Sequence, residues 1–312
     1  MQQMDLLISR IIEKKNPTVA GLDTRLEYLP ESFLREVMPD GVHTLEDAAK
    51  AIFAYNRALV DALCDIVPAV KVQVAYYEMY GPAGMQCFAD TMAYARSRGL
   101  SVMADVKRND IGATAEAYAA AYIGQTDAAG AKVRAFEADF ATVNPYLGAD
   151  GVAPFTKQAA AHGTGIFVLV KTSNPSSGQL QDMKVADGRT VYEVVGDLVR
   201  DWGADLVGEY GYSAVGAVVG ATYPAQGAAL RVRLPQTFFL VPGYGAQGAT
   251  GADLAGCFDA RGLGAIVNAS RSILCAWKKR EGVPFAQAAR EEAVRMREDI
   301  ASALAMAGKA LR

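Results

Sequence analysis

Residues 101–107 read SVMADVK, a run in which Val102, Ala104 and Val106 alternate with Met103, Asp105 and Lys107. Successive side chains of a β-strand point to opposite faces, so one face of this run is apolar and the other carries two opposite charges. The apolar face suits a cover of helices, which turns Asp105 and Lys107 toward the inside of the sheet. Residues 69–74, AVKVQV, repeat the pattern, with Val70, Val72 and Val74 on one face and Ala69, Lys71 and Gln73 on the other.

Working outward, similar short apolar runs lie at 18–23, 139–145, 166–172, 214–220, 237–243 and 264–270. Amphipathic stretches at 45–66, 83–98, 111–122 and 190–202 alternate with the runs, as a parallel sheet requires. Eight such units predict an α/β fold, a closed (β/α)8 TIM barrel. A doubly wound open sheet is the alternative, but its phosphate turn after the first strand is glycine-rich, whereas GLDTRLEYLP (21–30) has one glycine. No composition shift or Pro/Ser-rich linker interrupts the chain, which predicts a single domain over 1–312 with a helix at each end. Segments 28–44, 174–187 and 209–213 exceed minimal connections and are expected to form lids or surface elaborations.

Met4, Leu7, Ile8 and Ile11 recur at helical spacing, and the charges of Asp5, Arg10, Glu13, Lys14 and Lys15 exclude a signal-peptide core. The uncharged stretch 213–230 contains Gly216, Gly220, Pro224 and Gly227, and reads as a buried strand and a loop rather than a membrane span. A net charge of -3 offers no general attraction to nucleic acid or an anionic membrane. Any anionic ligand must then be held by a few placed residues. Cys64, Cys87, Cys257 and Cys275 form no CxxC pair, and His43 and His162 stand alone, which predicts reduced cytoplasmic thiols and no metal site.

The first strand ends in Asp23, at the carboxyl edge where barrels of this kind place their active sites. Taken singly, each charge is an ordinary strand-end residue, since Lys and Asp are rarely buried unless paired. Together, three neighbouring strands deliver ionisable groups to one rim, and buried charges must be paired or put to use.

ADVKRNDIGAT (104–114) resembles the Asp-x-Lys-x-x-Asp array that follows the third strand of orotidine 5'-phosphate decarboxylases. Asp23, Lys71, SNP (173–175), PGYGAQG (242–248) and SRS (270–272) resemble further family positions in the expected order. NPYLGAD (144–150) resembles the long-chain bacterial subgroup, type 2, although no chemical role attaches to it.

The resemblance implies cofactor-free decarboxylation of orotidine monophosphate to uridine monophosphate and carbon dioxide, the last step of de novo pyrimidine synthesis. It makes Lys107 the general acid that protonates C6, sets Asp105 against the departing carboxylate, and completes an alternating array with Lys71 and Asp110. Asp110, Ile111 and Thr114 then enter the site of the other subunit of a homodimer. Ser173 and Pro242 flank the pyrimidine, Asp23 and Lys71 take the ribose hydroxyls, Gln247 and Arg271 take the phosphate, and Ser270 joins the substrate-binding set.

Two carboxylates about 4 Å apart at an effective dielectric near 20 repel by roughly 4 kcal/mol, and losing carbon dioxide removes one of them. Most of the barrier must still fall by stabilising the developing carbanion with a preorganised ammonium. A lysine with a reference pKa of about 10.4 is already protonated at neutral pH, so neither a metal nor an organic electron sink is required.

The loops after the seventh and eighth runs, PGYGAQGATGAD and NASRSIL, stand where barrels often bind phosphate. Glycines admit backbone amides to the oxygens, and arginine supplies a charge-assisted fork. Gly243, Gly245 and Gly248 also satisfy GxGxxG, but no acidic residue follows roughly 20 positions on, so a dinucleotide turn is rejected. A magnesium-dependent sugar-phosphate decarboxylase or aldolase of the same barrel group carries Asp-x-Lys-x-x-Asp too. Such relatives have a metal-binding carboxylate where this chain has Lys71. A non-catalytic nucleotide-binding barrel would not need Asp105, Lys107 and Asp110 together.

Overall fold

Each apolar run becomes a strand: β1 (Thr18–Gly21), β2 (Ala69–Gln73), β3 (Ser101–Arg108), β4 (Phe140–Val143), β5 (Gly165–Lys171), β6 (Val215–Val219), β7 (Phe239–Pro242) and β8 (Ala265–Ala269). The computed structural model describes residues 1–245 and 248–311. Among the described residues these strands pair in parallel, in the order β1-β8-β7-β6-β5-β4-β3-β2, and close on themselves as a TIM barrel. The longer helices are α1 (Gln3–Lys14), α2 (Leu45–Leu63), α3 (Gly81–Ser97), α4 (Gly112–Ile123), α5 (Ala149–His162), α6 (Val191–Trp202), α7 (Pro224–Arg233) and α8 (Phe285–Met306).

Local chemistry sets the helix boundaries. At α2 the Thr44 hydroxyl accepts from the Asp47 amide at 3.1 Å while the Asp47 carboxylate accepts from the Thr44 amide, and Thr190 with Glu193 repeats this reciprocal cap at α6. Pro224 starts α7, where a missing N–H costs nothing.

The alternation in the strands sorts two apolar layers. Val70, Val72, Val102 and Ala104 pack outward against the helices. Ala69, Met103, Phe140, Phe167 and Ile266 fill the barrel, and Met4, Leu7, Ile8 and Ile11 of α1 join them with no exposure. Helix α1 lies across the amino-terminal end of the barrel, with Arg10 donating to Ser101 at the start of β3, Lys14 to the carbonyl of Val67 before β2, and Asp5 accepting from the Tyr210 amide before β6.

Segment 209–213 therefore belongs to the closed end and is no lid: Tyr212 is fully buried and its hydroxyl donates to Asp259 at 2.7 Å. Segments 28–44 and 174–187 do lie toward the open end and contain the short helices Glu31–Val37 and Gly178–Gln181. Stretch 213–230 divides into β6 and α7, so the expected loop is largely helix. No helix among the described residues is long and apolar enough to cross a membrane. An antiparallel hairpin, Thr126–Ala128 with Ala131–Val133, was not anticipated.

Candidate active site

The backbone of β3 departs from regular geometry where its charges are. Ala104 pairs with Ala141 and Arg108 with Val143, so residues 105–107 of β3 face Thr142 alone on β4. Lys107 takes up the excess with φ of 47°, a left-handed conformation that costs a non-glycine residue roughly 1–2 kcal/mol. The amides of Val106 and Lys107 both donate to the Thr142 hydroxyl at 2.9 Å, in place of a regular ladder.

This bulge aims a set of charges into the open end. Lys71 Nζ lies 2.7 Å from Asp105 Oδ2 and 3.2 Å from Asp23 Oδ1, and Lys107 Nζ lies 2.6 Å from Asp105 Oδ1. Gln73 Nε2 donates to Asp105 Oδ2 and the Thr142 hydroxyl to Oδ1, each at 2.9 Å. Four donors thus use the accepting capacity of one carboxylate and fix its orientation. Burial alone would push the Asp105 carboxyl up, but the Lys71 and Lys107 ammonium groups outweigh it and hold it well below the usual carboxylate range. Burial likewise favours a neutral Lys71, and Asp105 and Asp23 override it, raising its pKa above the ordinary lysine value.

These residues line a cavity of about 590 Å³ at the carboxyl edge of the barrel. Asp23, Lys71, Asp105 and Lys107 share it with Ser173, Pro242, Ser270 and Arg271, so eight expected site residues converge. Leu169, Val218 and Leu240 give it an apolar floor. Two glycines permit the close packing of its walls. A Cβ on Gly21 would lie 2.0 Å from Ser270 Oγ, and one on Gly220 would lie 2.7 Å from the Ser173 amide. Arg271 opens a short helix immediately after β8, and Gly243 and Gly245 adopt φ of 112° and 68° on the neighbouring loop. Gln247 lies outside the described residues.

Asp110, Ile111 and Thr114 do not line this cavity. Asp110 Oδ1 accepts from the Ile111 amide at 2.8 Å, and Ile111 is 57% exposed at the start of α4. Sequence reasoning assigned no role to Gln73, Thr142, Asn268, Tyr28 or Tyr76, which also line the cavity. Alternation held the signal for three of them: Gln73 shares the face of Lys71, and Phe140 and Ile266 face inward and place Thr142 and Asn268, two residues on, at inward positions. Asn268 is buried, its amide donates to Ser270 Oγ at 3.2 Å, and its Oδ1 accepts no hydrogen bond from the described residues. Among the described residues no three His, Cys, Asp or Glu side chains gather as a metal site.

The model of the Orotidine 5'-phosphate decarboxylase / HUMPS family matches residues 44–283. The chain belongs to this family. It is 42% identical over 274 residues to the orotidine 5'-phosphate decarboxylase of Caldicellulosiruptor saccharolyticus, covering 88% of this chain and 90% of that one. The enzyme of that name from Clostridium acetobutylicum is 39% identical over 304 residues, covering 96% of this chain and 100% of its own. Among solved structures, Leishmania donovani OMP decarboxylase superposes with a TM-score of 0.72 at 29% identity, over 96% of this chain and 100% of that one. The inhibitor-bound Methanocaldococcus jannaschii decarboxylase, at 16% identity and a TM-score of 0.59, covers 91% of this chain and 97% of its own and shares the fold. The family that 104–114 resembles is thus the family to which the chain belongs, and its barrel is the one predicted from the eight apolar runs.

Proposed function

We propose that this chain decarboxylates orotidine monophosphate to uridine monophosphate and carbon dioxide with its own side chains, without metal or organic cofactor, as the last step of de novo pyrimidine synthesis. The observation that carries the reading is the array of Lys71, Asp105 and Lys107, in which a buried, fully coordinated carboxylate stands beside a half-exposed ammonium. A substrate carboxylate set against Asp105 is repelled, and Asp105 cannot rotate away because four donors hold it. As the C6–carboxylate bond breaks, its electron pair stays on C6, where the Lys107 ammonium stabilises it and then donates its proton. Solvent returns that proton, since the Lys107 side chain is 45% exposed.

Ser173 and Pro242 flank the pyrimidine, Asp23 and Lys71 bind the ribose hydroxyls, Gln247 and Arg271 with the glycine loop hold the phosphate, and Ser270 is a further substrate contact. Asp110, Ile111 and Thr114 complete the site of a second copy in a homodimer. Ile111 and Thr114 are exposed and Asp110 half-buried, and none of the three lines the cavity of its own chain, which supports that reading. The match of 144–150 supports a place in the long-chain bacterial subgroup, type 2, and the reduced-thiol composition a cytoplasmic location. The family also covers sugar-phosphate chemistry, and the second strand supports the decarboxylase reading over it. Lys71 holds a buried ammonium between Asp23 and Asp105, where a divalent cation would be repelled.

An ultraviolet assay of orotidine monophosphate turnover, after dialysis against a chelator, tests both points. Full activity is expected. Activity lost on dialysis and restored by magnesium would transfer the chain to the sugar-phosphate branch.

A further inference from the structure

Thr142 sits on β4 opposite the bulge of β3, is 2% exposed, and makes three hydrogen bonds. A threonine hydroxyl has one proton and two lone pairs. Here the lone pairs receive the amides of Val106 and Lys107 and the proton goes to Asp105 Oδ1, each at 2.9 Å. The hydroxyl is therefore fully committed, and it joins the backbone of one member of the charged pair to the side chain of the other. The shift in register sets these amides opposite Thr142, whose hydroxyl takes both of them. The left-handed φ of Lys107 is a conformation that a lysine adopts only where its surroundings impose it.

We propose that Thr142 is a positioning residue, whose hydroxyl locks the bulge at Lys107 to the carboxylate of Asp105 and thereby sets the spacing between proton donor and repelling carboxylate. The proposal rests on the decarboxylase reading. Thr142 acts through its neighbours: with its one proton given to Asp105, it has none to offer a substrate.

Thr142→Val keeps the shape and removes the hydroxyl, whereas Thr142→Ser keeps the hydroxyl. A displacement of about 1 Å at a reacting group costs on the order of 100-fold in rate. We expect Thr142→Val to lose about that factor in kcat, with KM for orotidine monophosphate and inhibition by uridine monophosphate within about threefold of wild type. Thr142→Ser should recover kcat to within about fivefold. A valine variant with kcat within fivefold of wild type, a serine variant as slow as valine, or a loss confined to KM would overturn the proposal. If the valine variant does not fold, Thr142→Ser against Thr142→Ala isolates the hydroxyl in the same way. Crystal structures separate this proposal from the reaction itself. In the hydroxyl-less variant Lys107 should leave the left-handed region and its contact with Asp105, and retention of both would refute the role of Thr142 whatever the substrate.

Discussion

Asp105 and Lys107 meet at 2.6 Å although the first side chain is 9% exposed and the second 45%. The anion is fixed within the protein and the cation reaches it from the cavity. Their removal should therefore have different consequences, because only a buried charge leaves an uncompensated partner behind.

Lys107→Ala is expected to abolish turnover while preserving the fold. A positioned acid and its electrostatic contribution are together worth at least about 100-fold to 10,000-fold. Asp105 retains Lys71, Gln73 and Thr142 as donors, so the thermal midpoint should stay close to that of wild type. Activity within tenfold of wild type would remove Lys107 from the chemistry.

Lys71→Met should behave in the opposite sense for stability. It removes the buried ammonium that Asp23 and Asp105 share and leaves Asp105 only the more exposed Lys107 as counter-charge, and breaking a buried pair in this way costs about 3–5 kcal/mol in a urea titration. The pH dependence follows from the directions of the shifts. Asp105 has a depressed folded-state pKa, so its contribution is present above the unfolded value near 3.9 and is lost as pH falls through the folded one. Lys71 has a raised one, so its contribution is complete below about 10.4 and is lost as pH rises beyond that. Without Lys71 the Asp105 shift shrinks, and acid unfolding should begin at higher pH. An unchanged acid midpoint would mean that Lys71 does not hold Asp105 ionised.

If Asp110 and Thr114 serve a neighbouring subunit, mixing inactive Asp110→Ala with inactive Lys107→Ala should restore activity. One site of a mixed dimer receives both lesions and the other receives neither. Exchange of subunits without recovery would show that each site is built within one chain.

Arg271 faces the same cavity from the far side, beside a loop of glycines at positive φ. Arg271→Ala should lower kcat/KM for the nucleotide by a few kcal/mol, through binding energy spent on a non-reacting phosphate. The nucleoside should scarcely respond. Equal losses on both substrates would place Arg271 elsewhere than at the phosphate.

The barrel was legible because Val70, Val72, Val102 and Ala104 had to face helices, which left Lys71 and Asp105 no direction but inward. Hairpin 126–133 escaped notice because all six of its strand residues are exposed and lack an apolar face. Its turn uses Ala129 and Gly130 at φ of 54° and 92°, and alanine gives no hint of that conformation. Segment 209–213 is no lid, and its length left the choice between lid and surface elaboration open, whereas its place follows from the burial of Tyr212. Thr142 carried a visible signal, a polar residue at an inward position. Its importance depends on the bulge, and no one-dimensional pattern announces that a lysine will adopt positive φ.

Helix α1 stoppers the amino-terminal end of the barrel with Met4, Leu7, Ile8 and Ile11. Among the described residues that end of the barrel is filled, so the cavity is a cul-de-sac that opens at the carboxyl edge. On the decarboxylase reading, carbon dioxide is released beside Lys107 and Asp105 in the same cavity that holds the nucleotide. The gas then has to slip out past its heavier twin product or wait for it, so traffic through one doorway sets the order of departure.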